Sequence, residues 1–289
     1  MVLAAVTLTG PDWVFIAVLG LLAGVLGGML GVGGSILMIP GLTLLLGRHQ
    51  HLYQAAAMIA NVAVSVPAAW RHYAAGAIVP AALRWMLPVA LVAVVIGVWV
   101  SNRPVFAGMD GGIWLGRILA LFLLYVAVSN IFRVRDAEPP LGPVVIPQQP
   151  GRGGSALTGG TLGLTAGLLG IGGGAVAVPL QQVLLKLPLR ACIANSAAVI
   201  CFSAALGAVY KTATLPSHTY AAGMHYQWHQ AIALGAILAP TAFLGGRWGA
   251  SLTHRLPLWQ VRVALIVLMI VAAWQMAALP LGPRAGIMQ

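Results

Sequence analysis

The residues best placed for chemistry fall in two short stretches, Gly31-Val32-Gly33-Gly34-Ser35 and Gly170-Ile171-Gly172-Gly173-Gly174. So many adjacent glycines make a continuous helix poor there. Each stretch is followed by an apolar run of about four turns containing Pro40 or Pro179. A helix restarting at Ser35 or Gly174 presents N–H groups without intrahelical partners and a partial positive charge toward the break. Two such ends brought together would hold an anion. The plainer alternative is a glycine hinge or a tight helix crossing without a ligand. Gln181 and Gln182 follow Pro179 where the earlier stretch has Leu42 and Thr43, so an amide pair lines a path on one side only, or reaches a helix end and faces water. Arg247, in Gly245-Gly246-Arg247, lies near the end of an apolar segment. An unpaired guanidinium at a helix centre costs about 2.5–3.5 kcal/mol on insertion scales, and its cheapest partner is an anion, a carbonyl or a headgroup.

The elements that must position these residues are membrane helices. The 289 residues include 4 acids, 15 Lys and Arg, and 60 % hydrophobic residues, with 7 % charged. A soluble domain carries roughly 25 % charged residues, so this chain lacks the polar surface to face water all round. Disordered chains are poor in apolar residues, and a collagen-like chain needs glycine at every third position, which clustered glycines do not supply. Barrel strands alternate apolar and polar residues, a pattern missing here. Apolar segments run over 13–30 and 35–47, then 52–70, 78–101, 113–132, 155–170 and 174–186, 190–210, 228–252 and 258–279. Counting 13–47 and 155–186 each as one discontinuous helix gives about eight transmembrane helices, the favoured reading. Counting the pieces separately gives ten. The first 12 residues contain no Lys or Arg, so the first apolar segment reads as a retained span rather than a leader. Cys192 and Cys201 read as core filler.

The chain also repeats itself. Laid over 159–179, the stretch 20–40 matches at Gly20/Gly159, Gly24/Gly163, Gly28/Gly167, Leu30/Leu169, Gly31/Gly170, Gly33/Gly172, Gly34/Gly173 and Pro40/Pro179. Ala57–Asn61 then faces Ala191–Asn195. The expected organisation is a first transmembrane repeat over 1–132, a proline-rich linker over 133–154 and a second repeat over 155–289. Four spans per half would make the halves parallel, and five would make them inverted. Lys and Arg divide almost evenly between the two sides, so the positive-inside rule does not orient the chain. The glycines at 20, 24 and 28 and at 159, 163 and 167 follow the small-xxx-small spacing of close helix packing. A dinucleotide-binding loop is excluded because no acid lies at the required distance downstream.

The paired pattern G-x-x-x-G-x-x-G-x-G-G-x-x-x-x-x-P, with Ala-x-Ile-Ala-Asn at 57–61 and 191–195, resembles the TauE/SafE family of sulfite and organosulfonate exporters. The resemblance spans nearly the whole chain. It implies a bacterial inner-membrane secondary transporter of small sulfur-containing anions such as sulfite or sulfonates. Carried over by position, it points to Gly31, Gly33, Gly34, Ser35 and Pro40, to Gly170, Gly172, Gly173, Gly174 and Pro179, and to Asn61 and Asn195. An Asn amide donates two hydrogen bonds to a sulfonate without carrying charge; its plain alternative is interhelical glue. The candidate substrate-binding set is therefore Gly33, Gly34, Ser35, Asn61, Gly172, Gly173, Gly174, Asn195, Gln181 and Arg247.

The remaining polar residues are weaker candidates. Arg71 and Lys211, directly after Trp70 and Tyr210, read as interface anchors whose side chains snorkel to headgroups. Arg84 reads as lying about two turns inside its span. The acids, Asp12, Asp110, Asp136 and Glu138, all fall outside the apolar segments, so proton coupling would use His, ride on a protonated substrate, or be absent. His49, His51, His218, His225 and His229 read as loop or span-end residues, with His225 and His229 as a solvated i,i+4 pair. The expected partners are a small anion and the lipid bilayer, not nucleic acid, with a homo-oligomer left open. No cofactor, metal or enzymatic constellation is expected. An anion channel or a carrier of a small carboxylate are the alternatives.

Overall fold

The computed structural model describes residues 2–3, 6–7, 10–47, 49–106, 108–134, 150–221, 224–255, and 257, 259, 263, 266–267, 269–271 and 273–274. It is an all-α polytopic membrane protein, with two short antiparallel hairpins, β1 (Val2–Leu3) with β2 (Val6–Thr7) and β3 (Thr219–Ala221) with β4 (Met224–His225). The helices are α1 (Gly10–Leu30), α2 (Ser35–Leu46), α3 (Gln50–Ala74), α4 (Pro80–Ser101), α5 (Gly108–Val134), α6 (Arg152–Leu169), α7 (Gly174–Leu184), α8 (Leu189–Thr214) and α9 (Trp228–Thr253). Among the described residues, five helical stretches are long and apolar enough to cross a membrane: Asp12–Leu30, Gln50–Ala74, Pro80–Ser101, Leu189–Ser217 and Trp228–Thr253. The expected span 258–279 and the linker 133–154 lie largely outside the described residues.

Local sequence explains where the helices begin. α4 starts with Pro80, whose fixed φ and missing N–H suit the first helical position. α9 starts at a capping box in which Gln227 and Gln230 each bond the other's backbone N–H. Arg84 lies in the first turns of α4 and is exposed, with its guanidinium 5.4 Å from the Trp85 ring centroid, so it is not buried inside a span.

The two glycine-broken segments are not single discontinuous columns. Gly34 lies against Ala23 and Gly27, and Gly41 against Leu19, so α2 runs back antiparallel along α1. Gly173 lies against Leu162, and Gly154 against Leu184 and Leu185, so α7 runs back along α6 in the same way. Each segment is a helical hairpin whose returning arm, α2 or α7, is shorter than the membrane-length helices. The reason is physical: positive φ at Gly31 and Gly33, and at Gly170, Gly172 and Gly173, turns the chain through the tip instead of merely interrupting a helix.

Helix directions follow from the contacts. On α9, Leu238, Ala242 and Gly246 meet Gly20, Gly24 and Gly28 of α1 in turn, so α1 and α9 run the same way. On α4, Met86, Ala90 and Val94 meet Gly159, Gly163 and Gly167 of α6, so these two also run together. These close backbone approaches are what the four-residue glycine spacing permits. α3 and α8 run in opposite directions: Lys211 contacts His51, Gly207 faces Met58 and Ala197 packs beside Ala68. Helices matched by the sequence repeat therefore point oppositely. This is the inverted arrangement, in which the first helix of each half packs on the fourth helix of the other.

Candidate functional site

The tips of the two hairpins meet. A Cβ added to Gly174 would fall on the Gly31 carbonyl oxygen, and one added to Gly31 would fall on Ile193 backbone. At Gly33 it would stand 3.2 Å from Asn61 Oδ1 and 3.3 Å from the Ile171 carbonyl oxygen. At Gly172 it would stand 3.2 Å from Asn61 Nδ2 and from the Val32 carbonyl oxygen. Gly33, Gly172 and Asn61 thus converge at the crossing. Ser35 joins them, since its backbone N–H donates to Asn61 Oδ1 at 3.1 Å and Asn61 Nδ2 donates to Ser35 Oγ at 2.7 Å. Ser35 and Asn61 are both fully buried.

This corrects one expectation: the first N–H of α2 is not open, because Asn61 caps it. What the arrangement retains is a second amide proton on Asn61 and the Ser35 hydroxyl proton, two neutral donors beside a positively polarised helix end. Unwound backbone is held here by protein on all sides, the condition under which it is tolerated at membrane depth. Gly34 and Gly173 stand at the tips but turn toward Ala23 and Leu162 rather than toward Asn61.

Asn195 and Gln181 lie elsewhere. Asn195 Oδ1 accepts from the Val79 backbone N–H at 2.8 Å, capping the start of α4, and its Nδ2 donates to Gln181 Oε1 at 3.1 Å. Gln181 Nε2 lies 2.9 Å from Ser196 Oγ and 3.2 Å from the Cys192 carbonyl oxygen. Gln181 is fully buried, so it does not reach a wet helix end. The matching asparagines of the two halves therefore do different work. Arg247 lies apart from both clusters, exposed in an open groove of about 750 Å³ shared with Arg71, Trp70, Cys201, Phe202 and Phe243.

Two other readings change, those of Lys211 and of the His225/His229 pair, and the surroundings of His51, His218 and His72 are added to them. Lys211 does not snorkel to headgroups: it is fully buried among His51, Ser101 and Asn102. His51 sits within the first turn of α3 and is buried, and His218 is buried as well. His225 lies in β4 and His229 in α9, so they form no helical i,i+4 pair. His72, which the sequence did not single out, is fully buried, with Nδ1 3.2 Å from His254 Nε2 and Nε2 3.3 Å from the Gly28 carbonyl oxygen. A signal was present: His51, Gln54, Asn61, Ser65 and His72 recur at three-, seven-, four- and seven-residue steps, which places them on one face of a helix.

Comparison with known proteins agrees with the membrane character of the chain. The family model for "Sulfite exporter TauE/SafE" matches residues 16–276. The chain is 27 % identical over 276 residues to the "Probable membrane transporter protein MamO" of Magnetospirillum gryphiswaldense, covering 85 % of this chain and 42 % of that protein. The protein of the same description from Paramagnetospirillum magneticum is likewise 27 % identical over 276 residues, with 41 % of its length covered. The chain thus spans about two fifths of the curated relatives it matches. No solved structure matches. With its hairpin tips, glycine-packed helices and apolar spans, the chain belongs to the TauE/SafE family and is a multi-pass protein of a membrane-transporter family, of the helical kind found in bacterial inner membranes.

Proposed function

We propose that the protein is a secondary transporter that exports small sulfur-containing anions, sulfite or organosulfonates, and does no chemistry on them. The substrate lies where the hairpin tips cross, at Gly33, Ser35, Asn61 and Gly172, with Gly34, Gly173 and Gly174 shaping the tips. Asn195 and Gln181 hold the start of α4 in place, and Arg247 draws anions to the groove. One observation carries this reading: residues from both halves converge on a buried amide and hydroxyl at a helix start, neutral donors that suit an oxyanion without an opposing fixed charge. Two inverted halves meeting at that point also suit a carrier, in which one half rocks against the other around a fixed site.

The test is counterflow in liposomes with the purified protein. Saturable exchange of labelled sulfite, thiosulfate or sulfoacetate is the expected result. Flux that never saturates and shows no counterflow would make the protein a channel, and exchange of acetate alone would make it a carboxylate carrier. Thermal stabilisation in detergent gives a second readout, since a ligand that binds only the folded state adds about 2.7 kcal/mol at 100 times its Kd.

A further inference from the structure

Lys186 and Lys211 are the two lysines of the chain. Lys186 is exposed, while Lys211 is fully buried. Lys211 Nζ donates to Ser101 Oγ at 2.7 Å and to Asn102 Oδ1 at 2.8 Å, and lies 3.0 Å from His51 Nδ1. Neighbouring bonds fix the protons. His51 Nε2 is 2.7 Å from the Phe106 carbonyl oxygen, which only accepts, so Nε2 carries a hydrogen and Nδ1 faces Lys211 with a lone pair. Asn102 Nδ2 donates to Thr214 Oγ1 at 2.8 Å, so its Oδ1 is the atom turned to Lys211. Ser101 gives its own proton to the Val98 carbonyl oxygen. His218 Nε2 lies 3.1 Å from the same Asn102 oxygen and so holds the hydrogen there. That leaves His218 Nδ1 as a buried lone pair without a partner.

The ammonium of Lys211 is thus met by three neutral acceptors. Among the described residues, the groups facing it are His51 from α3, Ser101 at the end of α4 with Asn102 just after it, and His218 from the segment after α8. Arg103 of the α4 end turns away, with its guanidinium 3.5 Å from the Trp99 ring centroid. A buried charge without an opposing charge is costly, and it is retained where it can be discharged or used. His51 Nδ1 accepts from the ammonium, and the buried charge is discharged only when Lys211 releases that proton from the cluster. The His51 ring stacks on His218 with centroids 3.8 Å apart. Burial first, then Lys211, lowers His218 to about 4, which keeps it a neutral neighbour near neutral pH and leaves proton uptake and release to Lys211. One helical turn beyond His51, Gln54 packs against Gly170 at the second hairpin tip and donates to the Leu168 carbonyl oxygen at 3.3 Å.

We infer that Lys211, with His51 and His218, forms a proton-binding site that couples proton movement to anion transport through the neighbouring hairpin tip. The inference rests on the transporter reading above, and its test separates the two. Liposomes holding the purified protein are assayed first for counterflow of sulfite, thiosulfate and sulfoacetate at equal pH, and then for accumulation of the exchanging anion under an imposed one-unit pH difference. Each coupled proton drives about tenfold accumulation per pH unit. Wild-type protein is expected to do both. Lys211→Met is expected to keep counterflow and lose accumulation. Lys211→Arg keeps charge and length but cannot release its proton, so it is expected to behave like Lys211→Met even if the methionine variant fails to fold. Counterflow without pH-driven accumulation in wild type, or accumulation retained in either variant, overturns the coupling site and leaves the substrate reading intact. No counterflow in wild type overturns the substrate reading and this inference with it.

Discussion

Gly174→Ala is the sharpest test of the hairpin crossing, because two physical effects give opposite signs. Gly174 is the first residue of α7, and its φ is not in the left-handed region. On propensity alone, alanine would stabilise the helix by up to about 1 kcal/mol. The structure says otherwise, since the new methyl would fall on the Gly31 carbonyl oxygen and close to Val32 Cα, both backbone. Backbone cannot rotate aside as a side chain can, so the tips must separate. Overpacking of this kind costs about 3 kcal/mol, at the upper end of the usual range. The net expectation is destabilisation of roughly 2 kcal/mol. Gly116→Ala is the control: Gly116 lies in α5 with nothing within 4 Å of the added Cβ, and is expected to be neutral or slightly stabilising. The assay is reversible unfolding in mixed micelles, followed by far-ultraviolet circular dichroism and paired with counterflow in liposomes. If Gly174→Ala is as stable as Gly116→Ala, the two tips do not touch, and the site between them falls.

Three further outcomes are expected. Asn61→Ala strands the Ser35 N–H and Oγ in a buried setting, at about 1–3 kcal/mol for each unsatisfied group, and is expected to lower exchange at least tenfold; Asn195→Ala strands the Val79 N–H and Gln181 Oε1 and is expected to lower stability more than exchange. Comparison of melting temperature with flux in the two variants checks this. His218 is lowered to about 4 by burial, so the folded state favours its neutral form; stability is full above the unfolded value of 6.5 and declines as pH falls toward 4, and His218→Asn is expected to flatten that part of the melting-temperature profile. Cys201 lines the groove beside Arg247 and Arg71, whereas Cys192 is fully buried, so an anionic methanethiosulfonate should label Cys201 alone, and Arg247→Gln should slow that reaction more than it slows a neutral reagent; mass spectrometry of the labelled peptide decides.

How much of this was legible in the sequence depends on the kind of signal. The apolar runs give the described helices to within about five residues at each end, because about 20 apolar residues have few other uses. The glycine clusters mark the tips, but not that α2 and α7 turn back. A break and a reversal share one composition, and only the φ angles and facing partners, Gly41 on Leu19 and Gly154 on Leu185, separate them. Asn61 is readable from its place in the repeat as a residue that meets a glycine-rich tip. Asn195 is not, because the same repeat hides that its amide caps α4 instead of the second tip. Lys211 misleads for a definite reason: a cation after an aromatic at a helix end is the pattern of an interface anchor, and nothing local says that α3 and α4 close over it.

The antiparallel pairing of α3 and α8 explains why the buried lysine occurs at one end only. Eleven residues of α3 precede Asn61, whereas six of α8 precede Asn195; thirteen residues of α3 follow Asn61, whereas nineteen of α8 follow Asn195. Because the helices run oppositely, the longer start of α3 and the longer finish of α8 extend the bundle at the same end. His51 comes from the first extension and Lys211 from the second, and they meet 3.0 Å apart. At the opposite end α3 finishes in His72, which pairs with His254 rather than with a lysine. Two equal inverted halves would present the same groups to both sides and would favour neither. Offsets of five and six residues break that equivalence and place the lysine on one side of the tip crossing. That is the asymmetry a carrier needs if proton binding at one face is to be linked to anion release at a stated face.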